Sequence, residues 1–136
     1  MTKATRRRAR PTMYKGVAMR SRLEATFAAA LDKWGHGWVY EPQCFADETG
    51  QYLPDFRIDI GYGQHAYVEV KPPSITNDDL DDALKRMEII WSSEPNVGLS
   101  LHVWGTGRHY VATGAHRDWR LIIHPPTDPR GVDGGQ

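Results

Sequence analysis

Residues 52–71 constrain the fold most strongly, because two runs of alternating apolar and polar side chains flank a turn that contains two glycines. The alternation covers residues 52–60 and resumes at residues 65–71. Such a pattern is typical of β-strands that bury one face and leave the other face polar. Gly61 and Gly63 allow the positive φ angles of a tight turn. The segment therefore predicts an antiparallel hairpin with one polar face.

The register of this hairpin decides which polar side chains meet. If Tyr62 is the centre of a three-residue turn, Asp55 lies opposite Glu69, and Lys71 lies two residues further along the same face. A four-residue turn would pair Asp55 with Val70 and place the two carboxylates on opposite faces. Only a turn with an odd number of residues, or a β-bulge, brings Asp55, Glu69 and Lys71 together.

Two carboxylates at such a position predict a metal site. They repel one another unless a cation lies between them, and oxygen ligands suit Mg²⁺ or Mn²⁺. Taken singly, each feature has an ordinary explanation. An Asp after a proline is usually a turn or cap residue, and a Glu-x-Lys on a strand usually faces solvent. Their combination across one hairpin favours the metal site.

The motif resembles that of a nuclease superfamily. Pro54-Asp55 followed by Glu69-Val70-Lys71 resembles the core of the PD-(D/E)XK superfamily, which has the restriction-endonuclease-like fold. The resemblance extends to residues 20–24 and 38–42, and covers residues 14 to about 92 well. It is similar to small phage and mobile-element members, and to the nuclease domain of some transposon end-cutting subunits.

The resemblance implies a fold and a function. The expected fold is α/β, with a mixed central sheet flanked by helices in the order α-β-β-β-α-β and further C-terminal strands. The expected function is metal-dependent hydrolysis of phosphodiester bonds in DNA, with 5′-phosphate and 3′-hydroxyl products. Asp55, Glu69 and the main-chain carbonyl of Val70 would hold Mg²⁺ or Mn²⁺, and Lys71 would position the attacking water. Glu24 would reach the metal directly or through water.

Glu24 has two interpretations. Helical spacing of apolar residues predicts a first helix over residues 20–34, ended by Gly35, with its stripe formed by Leu23, Phe27, Ala30, Leu31 and Trp34. Ser21 and Glu24 have the spacing of a capping box, in which Glu24 would only bind the backbone of Ser21. The resemblance instead makes Glu24 a catalytic residue, and we favour that role.

The remaining pattern completes the expected architecture. A strand over residues 38–41 ends at Pro42. Tyr40 and Glu41 could border the active site or simply close this strand, and we expect Glu41 to face solvent. Residues 43–51 are predicted to form a polar loop. Thr76 or Asn77 caps a second helix. Residues 97–104, 110–112 and 120–123 are predicted strands. The domain organisation is a basic flexible arm over 1–13, a nuclease domain over 14–124 and a disordered tail over 125–136.

The charge distribution is uneven although the net charge is zero. The first 22 residues hold eight of the 17 basic side chains and no acidic one, which leaves nine basic against 17 acidic side chains in the remainder. A basic arm indicates contact with phosphates, although a solvated tail is the alternative. The predicted nucleic-acid contacts are Arg6, Arg7, Arg8, Arg10, Lys15, Arg20 and Arg22.

Several function classes remain open or are disfavoured. No apolar run is long enough for a membrane helix, and the one cysteine, Cys44, cannot form an internal disulfide. We therefore expect a protein of the bacterial or phage-infected host cytosol.

One alternative is a non-catalytic nucleic-acid-binding or virion-assembly module on the same fold, and another is an enzyme with a different phosphate-containing substrate. So small a nuclease has little surface for reading DNA, which makes a homodimer or a partner protein plausible.

Overall fold

The computed structural model describes residues 11–124. These residues form a mixed α/β fold, which includes a 3₁₀ helix over Glu88–Ser92. The other elements, in chain order, are β1 (Thr12–Tyr14), β2 (Val17–Met19), α1 (Arg22–Lys33), β3 (Trp38–Tyr40), β4 (Phe45–Asp47), β5 (Gly50–Tyr52), β6 (Phe56–Gly61), β7 (Gln64–Lys71), α2 (Asn77–Met87), β8 (Gly98–Val103), β9 (Arg108–Thr113) and β10 (Arg120–Ile123).

Six strands form the central sheet, in the order β10-β9-β8-β7-β6-β3. All neighbours are antiparallel except β7 and β8, which run parallel and are joined through α2. The elements that build the sheet and its helices follow the chain order α1, β3, β6, β7, α2, β8, β9, β10. The predicted α/β class, with a mixed central sheet and two helices, is therefore confirmed. Two short hairpins, β1-β2 and β4-β5, lie outside this sheet.

Both faces of the sheet are covered around β7, so the polar face of the hairpin is largely buried. Phe56, Val68 and Val70 pack with α1 on one face. Tyr67, which is 1% exposed, packs on the other face with the side chains of α2 and the 3₁₀ helix. The alternation in β7 separates two buried layers, because the apolar side chains of α2 cover the face that the sequence pattern left polar.

The predicted register of the β6-β7 hairpin is confirmed, but its turn is different. Phe56 pairs with Val68 and Asp59 pairs with His65, as expected when Asp55 lies opposite Glu69. The turn itself contains two residues, Tyr62 and Gly63, with φ angles of 56° and 72°. The pairing shifts between Asp59 and Gly61, so a β-bulge supplies the odd residue that a three-residue turn was expected to supply.

Other boundaries need correction. Residues 43–51 are not a simple loop, because β4 and the start of β5 lie there and Phe45 is 2% exposed in the core. Tyr52 belongs to β5 and not to the strand that contains Phe56. Strand β1 begins at Thr12, so the boundary predicted at residue 14 lies within it.

Parts of the predicted organisation fall outside the described residues. These parts are most of the basic arm, including Arg6, Arg7, Arg8 and Arg10, and the tail over 125–136. Within residues 11–124, none of the helices has the length and apolar character needed to cross a bilayer.

Both helices begin at capped residues. The Ser21 side chain accepts a hydrogen bond from the Glu24 N–H, and α1 runs from Arg22 to Lys33. The Thr76 side chain accepts from the Asp79 N–H, which selects Thr76 over Asn77 as the cap of α2. These caps fix where each helix starts, and the first of them also places Glu24 in the first turn of α1.

Two stacked histidines lie on the sheet face next to α1. The centre of the His102 ring lies 3.9 Å from the centre of the His109 ring and 5.1 Å from the centre of the Phe27 ring. Burial lowers the pKa of His102 to about 3 and the pKa of His109 to about 4, and the charge of His124 contributes in the same direction. Both imidazoles are therefore neutral in the folded protein at neutral pH.

We expect the free energy of unfolding to fall as the pH drops below about 6.5, where the same histidines gain protons in the unfolded chain. Each histidine contributes a loss of up to roughly 1.4 kcal/mol per pH unit until its folded pKa is reached. Urea unfolding between pH 7 and pH 4 measures this loss. His102→Phe should flatten the profile, and His116→Gln, an exposed control, should leave it unchanged. An unflattened profile in His102→Phe would contradict this account.

Candidate metal centre and active site

Asp55 lies at the open end of the β6-β7 hairpin and is 2% exposed. Its Oδ2 accepts a hydrogen bond of 3.0 Å from the Val70 N–H, and its Oδ1 lies 2.9 Å from Nη2 of Arg20. Its main-chain carbonyl accepts from the Glu41 N–H at 2.8 Å. Contacts from three other segments thus fix both the backbone and the carboxylate of Asp55.

Glu69 lies directly beside Asp55 and is 7% exposed. The Tyr52 hydroxyl donates a hydrogen bond to Glu69 Oε1, and the Asp55 N–H lies 3.4 Å from the same oxygen. Nζ of Lys71 is 3.3 Å from Glu69 Oε2. The structure therefore brings Asp55, Glu69 and Lys71 together, as the register predicts.

The two buried carboxylates are electrostatically coupled. Burial raises the pKa of Asp55 well above its usual value, and the neighbouring charge of Glu69 raises it further. Burial also raises the pKa of the Tyr52 hydroxyl, and the Glu69 charge adds to that effect. Tyr52 thus stays a hydrogen-bond donor to Glu69. A pair of this kind favours uptake of a proton or a cation.

Glu24 combines parts of both predicted roles. Its backbone N–H donates to Ser21 Oγ at 3.2 Å, which is one half of a capping box. Its carboxylate points elsewhere: it accepts from the Tyr40 hydroxyl at 2.6 Å and pairs with Arg20 at 2.8 Å. With 6% exposure, Glu24 is a buried carboxylate at the edge of the site and not only a helix cap.

Arg20, predicted to contact nucleic acid, lies in the site itself. Its guanidinium contacts the carboxylates of Glu24, Glu41 and Asp55 at 2.8, 2.6 and 2.9 Å. Burial alone would lower the pKa of Arg20, but the Glu41 hydrogen bond and the charges of Glu24 and Asp55 raise that pKa above its ordinary value. Arg20 is therefore a fixed positive charge among three carboxylates.

Sequence reasoning missed Tyr52 and left Tyr40 and Glu41 open. The Tyr40-Glu41 pair could border the active site or simply close its strand, and Glu41 was expected to face solvent. Tyr52 carried one usable signal, since a buried tyrosine hydroxyl usually needs a hydrogen-bond partner. Glu41 carried none, because its contact with Arg20 depends on a φ of 45° that the residue type does not favour.

The other predicted contacts are dispersed. Lys15 pairs with Asp32 at 2.9 Å, and Arg22 is exposed at the start of α1. The Val70 side chain packs in the core, while its N–H holds Asp55. A further cation borders the site, since the guanidinium of Arg86 on α2 lies 6.0 Å from the centre of the Tyr52 ring.

The chemistry of the donor set fits Mg²⁺ or Mn²⁺. Within residues 11–124, no three His, Cys, Asp or Glu side chains lie close enough together to hold a metal ion. Mg²⁺ does not need three, because it usually keeps several waters and binds one or two carboxylates together with substrate phosphates. Asp55 and Glu69 supply two adjacent carboxylates whose repulsion a cation would relieve.

The chain was compared with known proteins at three levels. No family model, no curated protein and no solved structure matches it. The functional conclusion consequently depends on the geometry of the site and on the sequence motif.

Tyr52→Phe tests the hydrogen bond that orients Glu69. We expect this change to lower the free energy of unfolding by about 1–3 kcal/mol, because it leaves a buried carboxylate oxygen without its hydroxyl donor. Tyr67→Phe is the matched control, since Tyr67 donates to Glu94, which is 28% exposed and also contacts His65. Urea unfolding measures both changes. An equal or larger loss in Tyr67→Phe would contradict the importance of the Tyr52 contact.

Proposed function

We propose that this chain is a divalent-metal-dependent DNA endonuclease of the PD-(D/E)XK type, with a restriction-endonuclease-like core. The observation that carries the proposal is the position of Asp55 and Glu69, two adjacent carboxylates that are both more than nine-tenths buried. Burial of two like charges is costly unless the site serves to bind a cation. Lys71 at 3.3 Å from Glu69 completes the set that the motif names.

Asp55, Glu69 and the main-chain carbonyl of Val70 are the proposed holders of Mg²⁺ or Mn²⁺. A bound ion of this kind lowers the pKa of a coordinated water and offsets negative charge on the phosphate that is attacked. Tyr52 donates its hydroxyl hydrogen to Glu69 and so keeps that carboxylate turned toward Asp55. The Val70 N–H orients Asp55 in the same way.

Lys71 and Glu24 are the proposed groups around the attacking water. The Lys71 side chain is 31% exposed, so its amine can reach a substrate phosphate while it stays beside Glu69. A positively charged amine there stabilises the negative charge that develops during hydrolysis. Glu24, held by Tyr40, offers carboxylate oxygens that can accept hydrogen bonds from water at the edge of the site.

Exposed cations suit contact with a DNA backbone. Arg86 is exposed on α2 beside Tyr52, and Arg22 is exposed at the start of α1. Exposed positive side chains can bind successive phosphates, with an affinity that falls as the salt concentration rises. The described surface is small, and we propose that a second copy or a partner protein contributes to the choice of target.

Plasmid nicking tests the proposed function. We expect Mg²⁺- or Mn²⁺-dependent cutting by the parent protein, loss of cutting in Asp55→Asn, and a decrease of about 10²–10³-fold in Lys71→Ala. Asp59→Asn is the matched control, because Asp59 is an exposed aspartate on the same strand and pairs with His65 away from the site. It should cut like the parent.

Two outcomes would contradict the proposal and point elsewhere. DNA binding without metal-dependent cutting would favour a binding or virion-assembly module. Hydrolysis of RNA or nucleotides with DNA left intact would favour a different phosphate-containing substrate. The ends of the cut DNA test the reaction itself. Products that lack a 5′-phosphate would contradict the hydrolysis that the motif implies.

A further inference from the structure

Arg20 connects the site to three separate segments of the chain. It lies between β2 and α1, and its side chain is 61% exposed. Its Nη2 contacts both Glu24 and Asp55, and its Nε donates to Glu41. The guanidinium therefore neutralises the cluster from the solvent side and remains within reach of a molecule that approaches from solution.

The main chain around Arg20 is held as firmly as its side chain. The Arg20 N–H donates to the Tyr40 hydroxyl at 2.9 Å, and the same hydroxyl donates to Glu24. Glu41 adopts a φ of 45°, a left-handed conformation that a glutamate rarely adopts, and its N–H is bonded to the Asp55 carbonyl. The contact between Arg20 and Glu41 is thus part of the framework that positions Asp55.

A divalent cation on Asp55 would conflict with this arrangement. Oδ2 of Asp55 is bonded to the Val70 N–H, and Oδ1 is bonded to Arg20. Of these two partners, only the guanidinium carries a positive charge, and its side chain is 61% exposed. Like charges repel strongly at such distances in a buried site, so metal binding and the Arg20–Asp55 contact oppose each other.

We propose that Arg20 is an exchangeable counter-ion that occupies Asp55 until a divalent cation replaces it. The inference depends on the proposed metal-binding function and adds its regulation. Arg20 holds the carboxylates in place in the metal-free protein and keeps their affinity for metal low. DNA phosphates attract the exposed guanidinium away from Asp55, so DNA raises the affinity for metal, and by reciprocity metal raises the affinity for DNA.

Arg20→Gln is the direct test, with Mn²⁺ alone as the probe and isothermal titration calorimetry as the measurement. In the DNA-free protein we expect Mn²⁺ to bind about 5- to 150-fold more tightly to Arg20→Gln than to the parent. Arg120→Gln is the matched control, because it removes the same charge from an exposed position on β10, three strands away from β7. Its Mn²⁺ affinity should stay close to that of the parent.

The outcomes separate this inference from the function on which it depends. If the parent binds Mn²⁺ in a manner that Asp55→Asn abolishes, and Arg20→Gln binds it no more tightly, the exchange is overturned while the metal site stands. If the parent shows no Asp55-dependent binding of Mn²⁺, the proposed function fails and the inference fails with it. Equal gains in Arg20→Gln and Arg120→Gln would also overturn the exchange, because they would reflect net charge alone.

A second measurement covers the case in which Arg20→Gln does not fold. In the parent protein, nuclear magnetic resonance follows the guanidinium signals of Arg20 during a titration with Mg²⁺. The exchange predicts that these signals move with the same saturation as the backbone signals of Asp55 and Val70. Guanidinium signals that stay fixed while the backbone signals saturate would overturn it.

Discussion

The repulsion between the buried carboxylates of Asp55 and Glu69 is the constraint on which the surrounding structure depends. Each carboxylate is held by two donors: Asp55 by the Val70 N–H and Arg20, and Glu69 by the Tyr52 hydroxyl and Lys71. The hairpin supplies the close approach, and β5, α2 and the segment before α1 supply the enclosure. A fold that needed only stability would gain from apolar residues at these two positions, since buried charges are poor stabilisers. Their presence is the basis of the metal-binding function that we propose.

The sequence predicts the central contact because the alternation continues up to the turn. Any turn with an odd number of residues puts Asp55 and Glu69 on the same face, and one register places them opposite each other. The structure reaches that register with a bulge near Ile60 and a two-residue turn. The alternation in the sequence determines which side chains share a face of the hairpin. It does not determine whether a three-residue turn or a β-bulge produces that arrangement. The helices follow from the same kind of local information, through the caps at Ser21 and Thr76.

The remaining parts of the site depend on contacts that local patterns do not contain. The β4-β5 hairpin brings Tyr52 under Glu69, although 17 residues separate the two in the chain. Arg20 reaches Glu41 and Asp55 over separations of 21 and 35 residues. Periodicity predicts which face of an element is buried, but it does not say what covers that face. The second apolar layer over β7 was missed for this reason, and so was the position of Arg20 within the carboxylate cluster.

The position of a divalent cation in a crystal of this protein with Ca²⁺ tests the central claim most directly, because Ca²⁺ binds oxygen ligands and gives an anomalous signal. The account predicts one peak within about 2.3–2.6 Å of carboxylate oxygens from both Asp55 and Glu69, with the Arg20 guanidinium withdrawn from Asp55. A peak bound elsewhere, or no peak between these carboxylates at saturating Ca²⁺, would contradict it.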